Sequence, residues 1–332
     1  METEPINVTQ GQKTHGFLTS SNSQAPRVPI GHTNVDVSMH GARIHPVPLE
    51  SRQPIEDAPD TNIMTNDIPS YKMTADPRGF CIIINNENFI DENKNRRGSD
   101  KDVERLIRTF TNRKFLVQRF DDLRASGITS ILKEFSTRDH TMYDALVVCI
   151  LSHGDINTIQ GTDSIHVQIG KLTALFRSSE CKSLTGKPKL FFIQACQGQE
   201  KNKVTVPSGT QQDSVETDIK IDERQKPTPP IPGEPDFLLG FACVPGYVSY
   251  RRRSTGSIYI EKLTNAIDRL ADRCDLSTIL LQVNHDVSDE KLEIPVEISA
   301  QGSIAGQQPS QQVNRFIACS APLNALRRQL FL

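Results

Sequence analysis

Three short stretches of this chain are apolar almost from end to end: Phe80-Cys-Ile-Ile-Ile-Asn85, Ala145-Leu-Val-Val-Cys-Ile-Leu151 and Lys189-Leu-Phe-Phe-Ile-Gln194. A strand without polar alternation has both faces covered, so it belongs inside a parallel sheet. The segments between them carry helical spacing. Val103, Leu106, Ile107 and Phe110 make one apolar stripe, with Ser99 and Asp100 as the expected cap. Ile128, Ile131, Leu132 and Phe135 make another, and Ile169, Leu172, Leu175 and Phe176 a shorter one. Phe115–Phe120 and Phe237–Cys243 read as further strands, Ile258–Leu270 and Leu276–Val287 as helices, and Ala325–Leu332 as a closing strand. Alternation of this kind predicts an α/β fold: a six-stranded, mostly parallel sheet flanked by helices.

Two parts of the chain do not fit that pattern. Apolar residues make up only 36% of the whole, which is low for a fully packed chain. Residues 1–70 hold eight of the 20 prolines, a local net charge of −4 and no apolar period. Such a segment cannot bury enough surface to offset its ordering entropy, so a disordered arm is expected there, with one domain over 71–332. Residues 197–236 also lack a period and end in Lys226-Pro-Thr-Pro-Pro-Ile-Pro-Gly-Glu-Pro235. A structureless stretch of that length inside a domain is usually a linker or functional. The loop 288–314, rich in Gln, Ser and Gly, reads as a further mobile surface segment.

Net charge is −2, so no global basicity argues for nucleic acid. The seven cysteines are scattered, with no CxxC clip. That pattern favours a reducing compartment over a disulfide framework or a zinc site, and no metal or cofactor is expected. The start has no apolar leader, and the longest apolar run, Ala145–Leu151, is too short to span a bilayer. A soluble, cytoplasmic protein is expected.

In an open α/β sheet, functional residues sit at the carboxyl ends of strands. One strand here runs into Ser152-His153-Gly154 and another into Ala195-Cys196-Gln197-Gly198. If those strands are neighbours, His153 and Cys196 meet at one edge. A thiolate that attacks a carbonyl carbon and an imidazole that moves the proton are together a nucleophile and base. Of the eight histidines, only His153 follows a buried strand and precedes a glycine. Spacing alone leaves a buried structural cysteine and a structural histidine open as the alternative.

The pentapeptide Gln194-Ala-Cys196-Gln-Gly198, with a histidine 43 residues upstream, matches the caspase signature. Pro77-Arg-Gly-Phe-Cys-Ile-Ile-Ile-Asn-Asn86, Arg96-Arg-Gly-Ser-Asp100, Leu151-Ser-His-Gly-Asp155, Gly186–Gly198 and Gly246-Tyr-Val-Ser-Tyr-Arg251 fit in order, so residues 71–332 resemble a caspase over most of their length. The resemblance implies the caspase-hemoglobinase fold and an aspartate-specific cysteine endopeptidase of apoptosis, made as a zymogen. It implies Cys196 as nucleophile, His153 as proton carrier and the backbone N–H groups of Gly154 and Cys196 as the oxyanion hole. The Lys94 carbonyl would orient the histidine. Arg96, Gln194 and Arg251 would hold the substrate aspartate, because a short carboxylate leaving water needs fixed cations and donors. Read without the resemblance, both arginines would be ordinary solvated surface residues. Val248, Ser249 and Tyr250 would line the next subsites, with backbone groups of Ser249 and Arg251 pairing the substrate as an added strand.

The chain has no tryptophan, and Ile258 and Tyr250 stand where caspases often carry one. Selectivity at the outer subsites is where this sequence departs from the family. Gln197, Val248-Ser-Tyr250 and Asp236–Gly240 resemble the death-receptor initiator branch, whereas residues 1–70 show no period that would fit a helical recruitment domain. An executioner activated by another protease is expected, the alternatives being an initiator-branch form lacking its recruitment domain or a catalytically weak regulatory homologue. A metacaspase would place acids, not Arg96 and Arg251, in the pocket. A non-enzymatic α/β binding module gives no reason for the linker beside the Cys196 strand. Processing is expected after Asp218 in Val215-Glu-Thr-Asp218, with Asp213 and Asp222 as lesser candidates, and after Asp57 to release the arm, with Asp60 and Asp67 as lesser candidates there. The large subunit would cover about 71–218, the intersubunit linker about 199–236 and the small subunit about 219–332. Expected partners are proteins with exposed aspartate-containing loops, a second copy of the chain joined through the Arg327–Leu332 strand, an upstream caspase and inhibitor-of-apoptosis proteins, with no nucleic acid and no membrane.

Overall fold

The apolar runs become the centre of a sheet because nothing on them can face water. In the computed structural model, β1 (Gly79–Asn85), β2 (Phe115–Asp121), β3 (Ala145–Leu151), β4 (Lys189–Gln194), β5 (Phe237–Phe241) and β6 (Ala321–Asn324) form one sheet in the order β6-β5-β4-β3-β1-β2. Every neighbouring pair is parallel except β5 with β6. All residues of β1, β3, β4 and β5 are buried. The expected six-stranded, mostly parallel α/β architecture is observed. Residues 68–200, 203–206, 215–217, 233–290, 292–295, 313–316 and 318–332 are described, all within the unit Ile63–Leu332. Most of the expected arm, and Asp57, Asp213, Asp218 and Asp222, lie outside the described residues.

Strand alternation sorts the core into two layers. Cys81, Ile83, Val147, Cys149, Leu190 and Phe192 face α1 (Ser99–Asn112), α4 (Ile258–Leu270) and α5 (Leu276–Ser288). Phe80, Ile82, Val148, Ile150, Phe191 and Ile193 face α2 (Ala125–Thr137) and α3 (Ile169–Ala174). Adjacent residues thus pack into opposite layers, as the period of two requires. Among the described residues, no helix is long and apolar enough to cross a membrane.

Four expectations are corrected. The residue that caps α1 is Gly98, at φ 89°, and no side chain caps the helix; Ser99 is its first helical residue. A Cβ at Gly98 would lie 2.5 Å from the Arg253 carbonyl oxygen, so glycine permits both the turn and the contact. The last sheet strand is Ala321–Asn324 rather than Ala325–Leu332. Asn324 Oδ1 accepts the Leu326 N–H, a local turn that stops the ladder. The chain beyond is held differently: Arg327 grips Asp236 through Nε at 3.0 Å and Nη2 at 2.8 Å, and Tyr71 Oη donates to the same carboxylate at 2.7 Å. Burial, then the Asp236 hydrogen bond, pushes the Tyr71 phenol up to about 12. The 197–236 stretch is not structureless throughout, since Gly198–Glu200, Lys203–Val206 and Val215–Thr217 are strands. The 288–314 loop likewise contains Leu292–Pro295 and the start of Val313–Phe316, which pair with each other, the latter also with Lys203–Val206. These pairings join segments far apart in sequence, which local periodicity cannot report.

Candidate active site

Leu151 and Gln194 are partners in the β3–β4 ladder. His153 and Cys196 each lie two residues beyond those partners, so both leave the sheet at its carboxyl edge. The Ser152 N–H donates to the Gln194 carbonyl at 3.1 Å and carries the pairing one residue past β3.

Each side chain is held by contacts that its sequence neighbours do not announce. His153 Nε2 lies 2.7 Å from the Lys94 carbonyl oxygen. A carbonyl only accepts, so Nε2 carries the proton and Nδ1 is the nitrogen able to exchange one. The buried Phe89 ring tilts against the imidazole with centroids 4.7 Å apart. Lys94 closes a 3₁₀ turn over Glu92–Lys94, and its own Nζ donates to Ser164 Oγ at 2.6 Å. Cys196 is fully buried; its Sγ accepts the Ser249 N–H at 3.3 Å and lies 3.7 Å from Ser249 Oγ. The Ser249 amide, expected to serve a substrate, is thus engaged with the sulfur.

Gly154 opens the antiparallel pair Gly154–Asp155 with Thr158–Gln160. A Cβ at Gly154 would lie 2.9 Å from the Cys196 carbonyl oxygen and 2.6 Å from that of Thr158, so the two candidate oxyanion-hole residues pack backbone against backbone. Gln197 links Cys196 to the turn of that hairpin. Its Nε2 donates to the Cys196 carbonyl at 3.1 Å, and its Oε1 accepts the Asn157 N–H at 2.9 Å. Sequence reasoning gave Gln197 no place in the site.

The candidate pocket residues are not on the surface. Arg96 is 0% exposed and Arg251 2%, which decides against solvated arginines. Arg96 Nη1 donates to the carbonyl of Asn86, one residue past β1, at 3.2 Å. Arg251 Nε donates to the Arg97 carbonyl at 3.2 Å, joining the two basic clusters. Gln194 is fully buried, and neither its Oε1 nor its Nε2 has a hydrogen-bond partner among the described residues. An unmet buried amide is costly unless a polar ligand completes it. Val248 and Tyr250 are buried, and burial, then the Cys196 and Cys243 thiols, raises the Tyr250 phenol well above its usual range. Ile258 is buried as the first residue of α4.

Asp102 is the second residue that sequence reasoning missed. In the first turn of α1 it looks like any acid that offsets a helix dipole. It is fully buried, accepts the Ser257 N–H at 2.8 Å and the Ser257 hydroxyl at 2.5 Å, and feels the charges of Arg96 and Arg251. Ser257 pairs with Arg251 across the short hairpin, so Asp102 ties α1 to the strand that carries that arginine. Burial pushes its carboxyl up to about 7, against the pull of Ser257 and the arginines. The raised value means that the folded chain holds a proton that the unfolded chain releases near pH 4. Relative to Asp102→Asn, the wild type is therefore expected to lose stability as pH rises from about 4 to 7, by about 4 kcal/mol at most, with no further change above pH 7. Urea unfolding of both proteins across that range measures the difference; parallel curves would reject the assignment.

The family model for the caspase domain matches residues 78–315. The chain belongs to the caspase family. Caspase relatives include caspase-8 of Rattus norvegicus, 40% identical over 236 residues, which cover 66% of this chain and 48% of that protein. Caspase-3 of Mus musculus is 39% identical over 223 residues, covering 67% of this chain and 76% of that one. Caspase-7 of Gallus gallus is 36% identical over 244 residues, covering 69% and 77%. The chain spans about half the length of the caspase-8 relatives it matches. Identity to the caspase-8, caspase-3 and caspase-7 relatives is nearly equal, so these matches do not assign the chain to a branch of the caspase family.

Proposed function

We propose that this caspase is an aspartate-specific cysteine endopeptidase, made as one inactive chain, activated by cleavage and acting in apoptosis. The observation that carries the reading is the meeting of His153 and Cys196 at equal offsets past paired residues of β3 and β4. In the proposed reaction the Cys196 thiolate attacks the carbonyl carbon after which the chain is cut, and His153, held through Lys94, gives the leaving amine its proton. Water then cleaves the thioester. The Gly154 and Cys196 N–H groups would meet the charge developing on the carbonyl oxygen. Arg96, Arg251 and Gln194 would complete the substrate carboxylate, and Val248, Ser249 and Tyr250 the neighbouring subsites.

An executioner role, activated by another protease, is the finer reading. The initiator branch is the second reading, favoured by Gln197 and Val248-Ser-Tyr250. Large and small subunits over about 71–218 and 219–332, cleavage at Asp57, Asp213, Asp218 or Asp222, a cytoplasmic site and a dimer joined through the C-terminal segment Arg327–Leu332 belong to the same proposal. An upstream caspase would activate the chain, and inhibitor-of-apoptosis proteins would oppose it. The test is hydrolysis of tetrapeptide libraries ending in aspartate, arginine or lysine. Cleavage confined to aspartate is expected; equal or better cleavage after a basic residue would sink the proposal.

A further inference from the structure

In the proposed reaction the leaving nitrogen takes its proton from His153, so the residues after the cut begin on the His153 side of Cys196. Two loops are tied to that histidine. One holds the imidazole directly, through the Phe89 ring and the Lys94 carbonyl. The other, residues 161–165, continues the strand Thr158–Gln160, whose Gln160 N–H donates to the His153 carbonyl at 2.8 Å. The loops are also joined to each other. The Ile90 N–H donates to the Thr162 carbonyl at 3.0 Å, and Lys94 Nζ donates to Ser164 Oγ. Each loop presents an aliphatic side chain to water, with Ile90 66% exposed and Ile165 58%. A single exposed isoleucine is ordinary, whereas two on joined loops beside a reactive centre make an apolar patch that a bound chain can cover. The surroundings are acidic. Glu87, Asp91, Glu92 and Asp163 stand on these loops against Lys94, with Arg124 next to Ala125, whose N–H Asp163 accepts at 3.2 Å.

We propose that Ile90 and Ile165 form a docking patch for the part of a protein substrate that follows the cut, and that the patch selects an aliphatic residue beside a lysine or arginine about two to four positions after the cleaved aspartate. The inference rests on the peptidase reading and adds selectivity beyond the cut, which the pocket of Arg96, Gln194 and Arg251 cannot supply. An extended chain advances about 3.3 Å per residue, so the first residue after the cut lies at the imidazole and the next few cross the two loops. Charge would orient the same chain. Its aspartate enters a pocket of arginines, and its basic residue meets the acidic loops. Covering about half of a leucine side chain against the two isoleucines corresponds to about tenfold in kcat/KM.

Peptide hydrolysis by the full chain, after activation, tests this. Two internally quenched peptides share every residue up to the aspartate and a glycine after it; one continues Leu-Lys-Leu and the other Ser-Glu-Ser. Wild type is expected to cleave the first with a kcat/KM about tenfold higher. In Ile90→Ser/Ile165→Ser the ratio should fall to about twofold or less. A reporter that ends at aspartate in a chromogenic amide has no residues beyond the cut, so the same variant should cleave it as wild type does. Glu92→Lys changes a charge on the exposed loop and leaves both isoleucines in place. It should lower the ratio by about two- to fivefold and spare the reporter. Equal cleavage of the two peptides by wild type, or a ratio that neither variant changes, would overturn the patch. If the serine variant also loses the reporter, Glu92→Lys decides alone, and an unchanged ratio there overturns the patch. A wild type that cleaves neither the peptides nor the reporter refutes the peptidase reading itself, whereas one that cleaves the reporter but ignores the residues after the cut refutes the patch alone.

Discussion

Replacing Cys196 with alanine is expected to lower kcat/KM on aspartate-ending peptides by ~10⁵-fold or more. In the proposed mechanism the sulfur makes the bond that splits a hard hydrolysis into two easier steps, and the other buried cysteines are not placed to take its part. Cys81, Cys149 and Cys181 are buried in strands or under helices, and Cys243 points at backbone carbonyls of Ala195 and Tyr247. The change should also leave the chain whole, whereas the wild type should yield fragments whose ends map to aspartates of the 199–236 linker. Intact mass measurement and peptide hydrolysis check both outcomes. Cys274→Ala, at a half-buried cysteine on the rim of the core, should behave as wild type. A Cys196→Ala protein that keeps even a hundredth of the activity would remove the thiol from the mechanism.

Much of this was readable because the relevant signals are local. The runs at β1, β3 and β4 are apolar on both faces, and only a covered parallel strand tolerates that. The stripes on α1, α2 and α4 repeat at helical spacing, so their buried faces follow from the sequence. His153 and Cys196 were placed together by one topological condition, that β3 and β4 be neighbours. What escaped was settled by distance in sequence. Asp102 meets Ser257 across 155 residues, and Arg251 meets Arg97 across 154. Nothing near Arg96 or Arg251 reveals that either is buried, because a basic cluster reads the same whether it is solvated or enclosed. Gln197 acts through an amide aimed at the turn of the Gly154 hairpin, which a pentapeptide cannot convey. The 215–217 strand has no apolar alternation of its own. It forms because its backbone completes an edge offered by Tyr250–Arg252, and such a signal lies in the partner rather than in the segment.

That same edge leads to the second large effect, at Arg251. Alanine there is expected to lower kcat/KM for aspartate-ending peptides by ~10³ to 10⁴-fold, because a substrate carboxylate would enter a closed pocket with one of its two guanidiniums missing. The burial of Arg251, at 2% exposure, is what makes the loss large, since water cannot replace the missing donor. An exposed arginine would cost far less, because solvent screens it. Lysine should rescue little, as a single ammonium cannot reproduce the planar fork. The effect should be selective. A peptide ending in asparagine brings no charge to pair, so its slow cleavage should change much less, and the preference for aspartate over asparagine should collapse. Asp102 sharpens the expectation. Without Arg251 that buried carboxylate loses one of the two arginines that draw its value down, so its proton should be held to still higher pH. Measuring kcat/KM for both peptides in wild type, Arg251→Ala and Arg251→Lys decides the matter. Loss of less than about tenfold for the aspartate peptide, or equal loss for both peptides, would show that Arg251 supports the hairpin rather than the substrate.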